Sequence, residues 1–78
     1  MVTRLQRFIT DSGIKPSHLA RASGVSRAHI LRLRKGQMDP TRYTMVLLAR
    51  GCSFLLGRWV GADELFDIAG DPVSLNGT

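Results

Sequence analysis

The sequence has no acidic residue between Asp11 and Asp39, although it carries six acidic side chains among its 78 residues. It has one cysteine, Cys52, which excludes an internal disulfide and is typical of a protein kept in a reducing compartment. Its longest apolar run, Met45 to Ala49, is too short for a helix that crosses a bilayer. Because the N-terminus also shows no signal-peptide core, we expect a cytoplasmic protein without a membrane segment.

The length and composition predict one folded domain. A chain of 78 residues buries only a modest core, and its 44% hydrophobic content is ordinary for a globular protein. We expect the domain to cover residues 1–69 and a flexible C-terminal tail to cover residues 70–78.

The charges are distributed unevenly along the chain. Residues 1–50 hold ten Lys or Arg against two acidic residues, a net +8, whereas residues 51–78 hold one Arg against four acidic residues, a net −3. A charge that only solubilised the protein would not separate the signs in this way. The segregation therefore favours one surface that faces a polyanion.

The spacing of apolar residues predicts an all-α fold with three helices in the first half. The first helix covers about residues 2–12, and the second begins at Pro16 and ends at Ala22 or Ser23. Lys15 is a poor cap for the second helix. Ser26 is a good cap for a third helix that runs to Lys35.

The second half predicts one long helix and one short one. The long helix opens after Asp39 or Thr41 and runs to about residue 56, with a break at Gly51 as the alternative. Residues 57–61 form an extended connector, and a last helix covers residues 62–69. The chain thus has four to five helices.

A more specific pattern lies in residues 14–37. Gly24 supplies the positive φ of a tight turn between two short helices, and Ala20 is small where the helices cross closely. The apolar positions around this turn are Leu19, Val25, Ile30 and Leu33.

This pattern resembles the helix-turn-helix of the Cro and lambdoid-repressor family, also called the XRE family. The resemblance is close over residues 14–37, and the helix layout of residues 2–69 is similar as well. It implies a compact lambda-repressor-like domain, with the helix-turn-helix at about residues 16–35 and helix 27–35 in the major groove of double-stranded DNA. Family members usually bind paired half-sites as twofold dimers.

The resemblance also implies which side chains contact bases. The outward face of helix 27–35 presents Ala28, Leu31, Arg32 and Lys35. The base-contacting positions fall on Arg27, Ala28 and Arg32, with Ser26 and His29 as lesser candidates. Arginine recognises guanine by two parallel hydrogen bonds, so we expect a G·C pair under Arg27 or Arg32 in each half-site. The alternative is that both arginines contact only phosphates.

Phosphate contacts are expected from residues around the motif. Ser17 and the start of the second helix match family phosphate positions, and Arg42 matches a position near the minor groove. Position and charge add further candidates, namely Lys15, His18, Arg21, Arg34, Lys35 and Gln37. The chain departs from the family at Pro16. Many members have a glutamine at this position, which bonds both a phosphate and a base-contacting side chain, here Arg27.

Other residues predict no catalytic or metal chemistry. His18 and His29 are not spaced as helical metal ligands, and no Ser, His and acidic residue combine as a catalytic set. We therefore expect no enzyme activity, no metal and no cofactor. Cys52 is expected to be a buried apolar side chain, with a sensor as the alternative, and Trp59 a packing anchor, with a role in an interface as the alternative.

These observations predict a sequence-specific transcriptional regulator, a homodimeric repressor encoded by a bacterium or phage and associated with the nucleoid. The apolar density from Met45 to Ile68 predicts a dimer interface, the alternative being simple coverage of the core. A second interpretation is an antitoxin or other protein-interaction module of a toxin or phage regulatory system. Its protein partner would bind the apolar C-terminal half.

Overall fold

The computed structural model describes residues 3–66, and within this range the chain forms five α-helices and no strand. The predicted all-α class is therefore confirmed. In chain order the helices are α1 (Arg4–Ser12), α2 (Pro16–Ser23), α3 (Arg27–Arg34), α4 (Arg42–Leu56) and α5 (Ala62–Leu65).

Three of the helices begin at a hydroxyl side chain. The hydroxyl oxygens of Thr3, Ser26 and Thr41 accept hydrogen bonds from backbone N–H groups in the first turns of α1, α3 and α4. Each bond satisfies a donor that has no partner inside the helix. Lys15 provides no such bond at the start of α2, as expected, and Thr41 rather than Asp39 caps α4.

The core lies between α2 and α4, with α1, α3 and α5 closing its sides. Side chains that are almost fully buried come from every helix and from the connector before α5. They are Leu5, Leu19, Ile30, Leu48, Cys52, Val60 and Leu65. The short helices α2 and α3 are thus held by a shared core.

α4 is continuous through Gly51, so the single long helix is confirmed. A Cβ atom on Gly51 would lie 2.9 Å from Cβ of Ser23 and 3.1 Å from its backbone nitrogen. Glycine therefore occupies the helix interior because α2 packs closely against α4 at this point. A glycine inside a helix costs about 1 kcal/mol relative to alanine, and the helix carries this cost here because a larger residue would not fit against α2.

Some predicted boundaries differ from the structure. α1 is described from Arg4, and α3 ends at Arg34 with Lys35 as its C-cap. α5 ends at Leu65 instead of continuing to residue 69, because the backbone of Phe66 is already extended (φ −135°, ψ 148°). Residues 67–69 and the predicted tail, 70–78, lie outside the described residues.

The predicted role of Trp59 as a packing anchor is wrong, since 79% of its surface is exposed. Val60 anchors the connector instead. It is fully buried, and its N–H donates to Oγ of Ser53 in a 2.8 Å hydrogen bond. Among the described residues, no helix has the length and apolar character needed to cross a membrane.

Candidate nucleic-acid interface

The turn between α2 and α3 is fixed by two hydrogen bonds. Gly24 has φ +81°, and its N–H donates to the carbonyl oxygen of Ala20 at 2.9 Å. The N–H of Val25 donates to the buried Ser23 hydroxyl at 3.1 Å. Because glycine tolerates this φ and Ser23 satisfies a buried donor, the sequence Ser-Gly-Val sets the angle between the helices.

The apolar side chains predicted to hold the motif together are all buried, namely Leu19, Val25, Ile30 and Leu33. The opposite face of α3 is exposed along its whole length. It presents Ala28, Leu31, Arg32 and Lys35, as expected from a helical period of about 100° per residue.

The predicted base-contacting residues divide into two groups. Arg27, Ala28 and Arg32 are exposed on α3. Ser26 is exposed as well, but its Oγ accepts the N–H of His29 at 3.1 Å and caps the helix, while His29 is half-buried. The three principal candidates thus lie on the exposed surface of α3, whereas the Ser26 side chain is the N-cap of this helix.

No acidic side chain is present on α2 or α3. The described acidic residues are Asp11, Asp39, Asp63 and Glu64. Within residues 3–66, the ion pair that forms joins Arg58 to Glu64 at 3.3 Å, in the connector and α5. The cations of α2 and α3 are therefore not neutralised by any described carboxylate, which favours an anionic ligand on this surface.

A groove of about 250 Å³ lies between the start of α2 and the side of α3. It is lined by Pro16, Arg27, Ala28, Leu31 and Arg34. Because Lys15 makes no cap, the first N–H groups of α2 have no side-chain acceptor, and a helix N-terminus with free N–H groups attracts phosphate.

Most predicted phosphate contacts are exposed: Lys15, Ser17, His18, Arg21, Lys35, Gln37 and Arg42. They do not all lie together. His18 and Arg21 line a different groove, of about 470 Å³, with Phe54 and Leu55 of α4. The structure thus places these two residues beside α4, and His18 also borders a groove of about 170 Å³ together with Lys15, Leu55 and Leu56.

Arg34 differs from the other candidates because it is half-buried and hydrogen-bonded. Its Nε donates to Oε1 of Gln6 at 2.7 Å, and its carbonyl oxygen accepts the Thr3 hydroxyl, also at 2.7 Å. Sequence reasoning did not identify Thr3 or Gln6. Nothing in the local pattern signals these bonds, since the partners are 31 and 28 positions apart.

Cys52 is fully buried, and burial raises the pKa of its thiol to about 11, with a further contribution from the charge of Glu64. A thiol with such a pKa stays protonated and is a poor nucleophile at neutral pH. Residues 3–66 contain no group of three or more potential metal ligands.

Comparison with known proteins identifies the family. A sequence model of the Cro/C1-type HTH DNA-binding domain matches residues 4–55, which include α1 to α3 and nearly all of α4. No curated protein and no solved structure matches the chain.

The chain belongs to the Cro/C1-type helix-turn-helix DNA-binding family. This confirms the resemblance seen in residues 14–37, and it establishes a domain that binds double-stranded DNA.

Proposed function

We propose that the protein is a homodimeric, sequence-specific transcriptional repressor that places α3 in the major groove of its operator. The observation that carries this proposal is the exposed surface of α3 and its C-cap, which presents Arg27 in the first turn, Arg32 and Lys35, and no acidic residue. An α-helix fits the major groove, where each base pair shows a distinct pattern of donors and acceptors.

Arg27, Ala28 and Arg32 supply the base contacts in this proposal. Each arginine is exposed and has donors for O6 and N7 of a guanine, and Ala28 suits the methyl group of a thymine. Lys35 lies at the far end of α3, where it contacts phosphate. Ser26 and His29 contribute less, because one caps α3 and the other is half-buried.

Phosphate contacts on both sides of α3 fix the position of the domain on the duplex. The free N–H groups at the start of α2, with Lys15 and Ser17, bind one strand. Gln37 and Arg42 bind beyond the recognition helix, and Arg34 binds from the groove beside α2. His18 and Arg21 are the weakest candidates, because they line a groove beside α4.

Selection of bound duplexes from a random pool at several salt concentrations tests the proposal. We expect a palindromic site with a G·C pair in each half-site and an affinity that falls steeply with salt. Arg32→Ala should lose about 1–3 kcal/mol of discrimination at one position. Enrichment of no sequence at low salt would exclude sequence-specific binding.

Lys35→Ala is the matched control, because it removes one exposed cation from the same helix face. If Lys35 contacts only phosphate, its loss should weaken binding equally on specific and random DNA, and should reduce the salt slope by about 0.9. If Arg32→Ala behaves in the same uniform way, Arg32 also contacts phosphate and does not recognise a base.

The homodimer rests on exposed apolar side chains of α4 and the connector. Phe54 and Trp59 are each 79% exposed, and Tyr43 and Val46 are also exposed. Aromatic side chains of this kind are enriched in protein interfaces. Sedimentation at increasing concentration should show a dimer that Phe54→Ser or Trp59→Ser weakens and the exposed control Arg50→Gln does not.

Repression follows by occlusion, since a dimer that covers promoter DNA blocks access of the transcription machinery. A promoter carrying the selected site should lose reporter expression when the protein is present. Loss of this effect in Arg32→Ala, with unchanged protein abundance, would tie repression to DNA recognition. Increased expression would instead identify an activator.

The same apolar residues favour a second candidate function, a module that binds another protein, such as the toxin of a toxin–antitoxin pair. Exposed aromatic side chains suit a different chain as well as a second copy. A toxin encoded beside this gene that co-purifies with the protein, and is lost with Phe54→Ser, would support this candidate. A stable homodimer with Phe54 at its centre would argue against it.

A further inference from the structure

The N-terminus of α1 is bonded to the C-terminal end of the recognition helix. The Thr3 hydroxyl caps α1 by accepting the N–H of Gln6 at 3.0 Å, and it donates to the carbonyl oxygen of Arg34 at 2.7 Å. The Gln6 side chain accepts from Nε of Arg34 at 2.7 Å and donates through Nε2 to Thr10 at 3.0 Å.

This arrangement uses only part of the Arg34 guanidinium. Nε is engaged by Gln6, whereas the two terminal Nη groups donate to no other atom within residues 3–66. Arg34 also lines the groove between α2 and α3, together with Arg27, Ala28, Leu31 and Pro16. Two guanidinium groups thus border one groove, and no described acidic residue borders it with them.

The hydrogen bond restricts a long and otherwise flexible side chain. A free arginine loses rotamer entropy when it binds a ligand, and a side chain already held in place loses less. A guanidinium presents its remaining N–H groups in a planar fork that matches phosphate oxygens. Pro16 also lacks an amide N–H and a polar side chain, so Arg34 supplies donors that this position does not.

We infer that Gln6 is a positioning residue for DNA binding, which holds Arg34 by its Nε so that the remaining N–H groups bind a backbone phosphate in the groove between α2 and α3. This inference rests on the proposed function and adds a residue of α1 to it. Gln6 itself does not contact DNA.

The test compares wild type, Gln6→Ala, Arg34→Gln and the double variant on the selected site and on a random duplex, over a salt series. Gln6→Ala should weaken binding about 3- to 10-fold on both DNAs, which corresponds to one hydrogen bond. Arg34→Gln should weaken binding further and reduce the salt slope by about 0.9. The double variant should be no weaker than Arg34→Gln, because Gln6 acts through Arg34.

Thr10→Ala is the matched control. It removes the other hydrogen bond of the Gln6 side chain and leaves the bond to Arg34, so its affinity and salt slope should match those of wild type. Arg34→Lys keeps the charge but loses the planar fork, and in that background Gln6→Ala should have no further effect. Thermal unfolding by circular dichroism verifies that each variant is folded.

Two outcomes overturn the inference. One is wild-type affinity and salt slope in Gln6→Ala, and the other is a double variant weaker than Arg34→Gln by the full effect of Gln6→Ala. Either result leaves sequence-specific recognition by α3 intact. Conversely, if wild type selects no sequence, the proposed function fails, while the salt slope on random duplex still shows whether Gln6 supports the phosphate contact of Arg34.

Discussion

The helix-turn-helix and the α4–connector region cover the same core with opposite kinds of surface. Neither region carries an acidic residue, but α2 and α3 expose cations without any Phe, Tyr or Trp side chain, whereas α4 and the connector also expose Tyr43, Phe54 and Trp59. The described ion pair joins Arg58 of the connector to Glu64 of α5 and so lies outside the helix-turn-helix. A surface of unpaired cations suits a polyanion, and a surface of exposed aromatics suits a protein. The difference supports the proposal that α2 and α3 face DNA, together with Arg42 at the start of α4, whereas the exposed aromatic side chains face a protein.

The largest expected effect is the opposite response of the two surfaces to salt. Raising the salt concentration from about 50 to about 200 mM should weaken DNA binding by about 10³-fold or more, if six or more phosphates are contacted. Self-association through apolar side chains should be unchanged or slightly stronger. Binding titrations and sedimentation in the same buffers measure both. A dimer that dissociates as steeply as the DNA complex would mean that charges also hold the dimer together.

Two adjacent residues of α3 sharpen the distinction between core and surface. Ile30 is fully buried and Leu31 is 46% exposed. Ile30→Ala should lower the free energy of unfolding by about 2–5 kcal/mol, because it leaves a cavity between α3 and the rest of the core. Leu31→Ala should change stability by less than about 1 kcal/mol. Urea unfolding of both variants measures the contrast, and equal losses would show that α3 does not pack as described.

A substitution at Gly51 tests the close packing of α4 against α2, which joins the two regions. Gly51→Ala should lower the free energy of unfolding by about 1–3 kcal/mol, because the new methyl group meets Cβ and the backbone of Ser23. Alanine favours helices by about 1 kcal/mol over glycine, so stabilisation would be expected if α2 did not approach closely. The exposed neighbour Arg50 provides the control Arg50→Ala, which should be within about 0.5 kcal/mol of wild type. A more stable Gly51→Ala variant would contradict the close approach.

The smallest effect concerns Glu64, at the start of α5. A hydrogen bond from the N–H of Gly61, and the nearby Arg58, hold the pKa of this carboxyl below its usual 4.5. Because the folded pKa is lowered, ionised Glu64 stabilises the fold above pH 4.5, and this contribution is lost as the pH falls through the lowered value. The stability difference between wild type and Glu64→Gln should be small at pH 7 and should diminish further as the pH falls below 4.5. A difference that persists at low pH would point to lost packing.

The fold was largely predictable because its signals are local. Ser26, Gly24 and the apolar positions of α2 and α3 lie within a few residues of the features that they determine. Caps and turns depend on hydrogen bonds between near neighbours, so the chain itself specifies where α3 begins. The short α5 was harder to predict, since its apolar pattern continues past the residue at which the backbone becomes extended.

The sequence did not predict those contacts that join residues far apart along the chain. Gln6 and Arg34 are 28 residues apart, and Ser23 meets Gly51 across the core. Each partner has an ordinary local role, as a helix surface residue or a helix-weakening glycine. Their pairing depends on how α1 lies against α3 and how α2 lies against α4.

By itself, the sequence determined the helix-turn-helix and the charge of its outer face, because periodicity, caps and the spacing of like charges are properties of neighbouring residues. Only the tertiary structure decided that Arg34 is held by α1, that His18 lies beside α4 and that Trp59 is exposed. These outcomes depend on which helix faces meet in the core, and the packing of five helices settles that question where no single segment can.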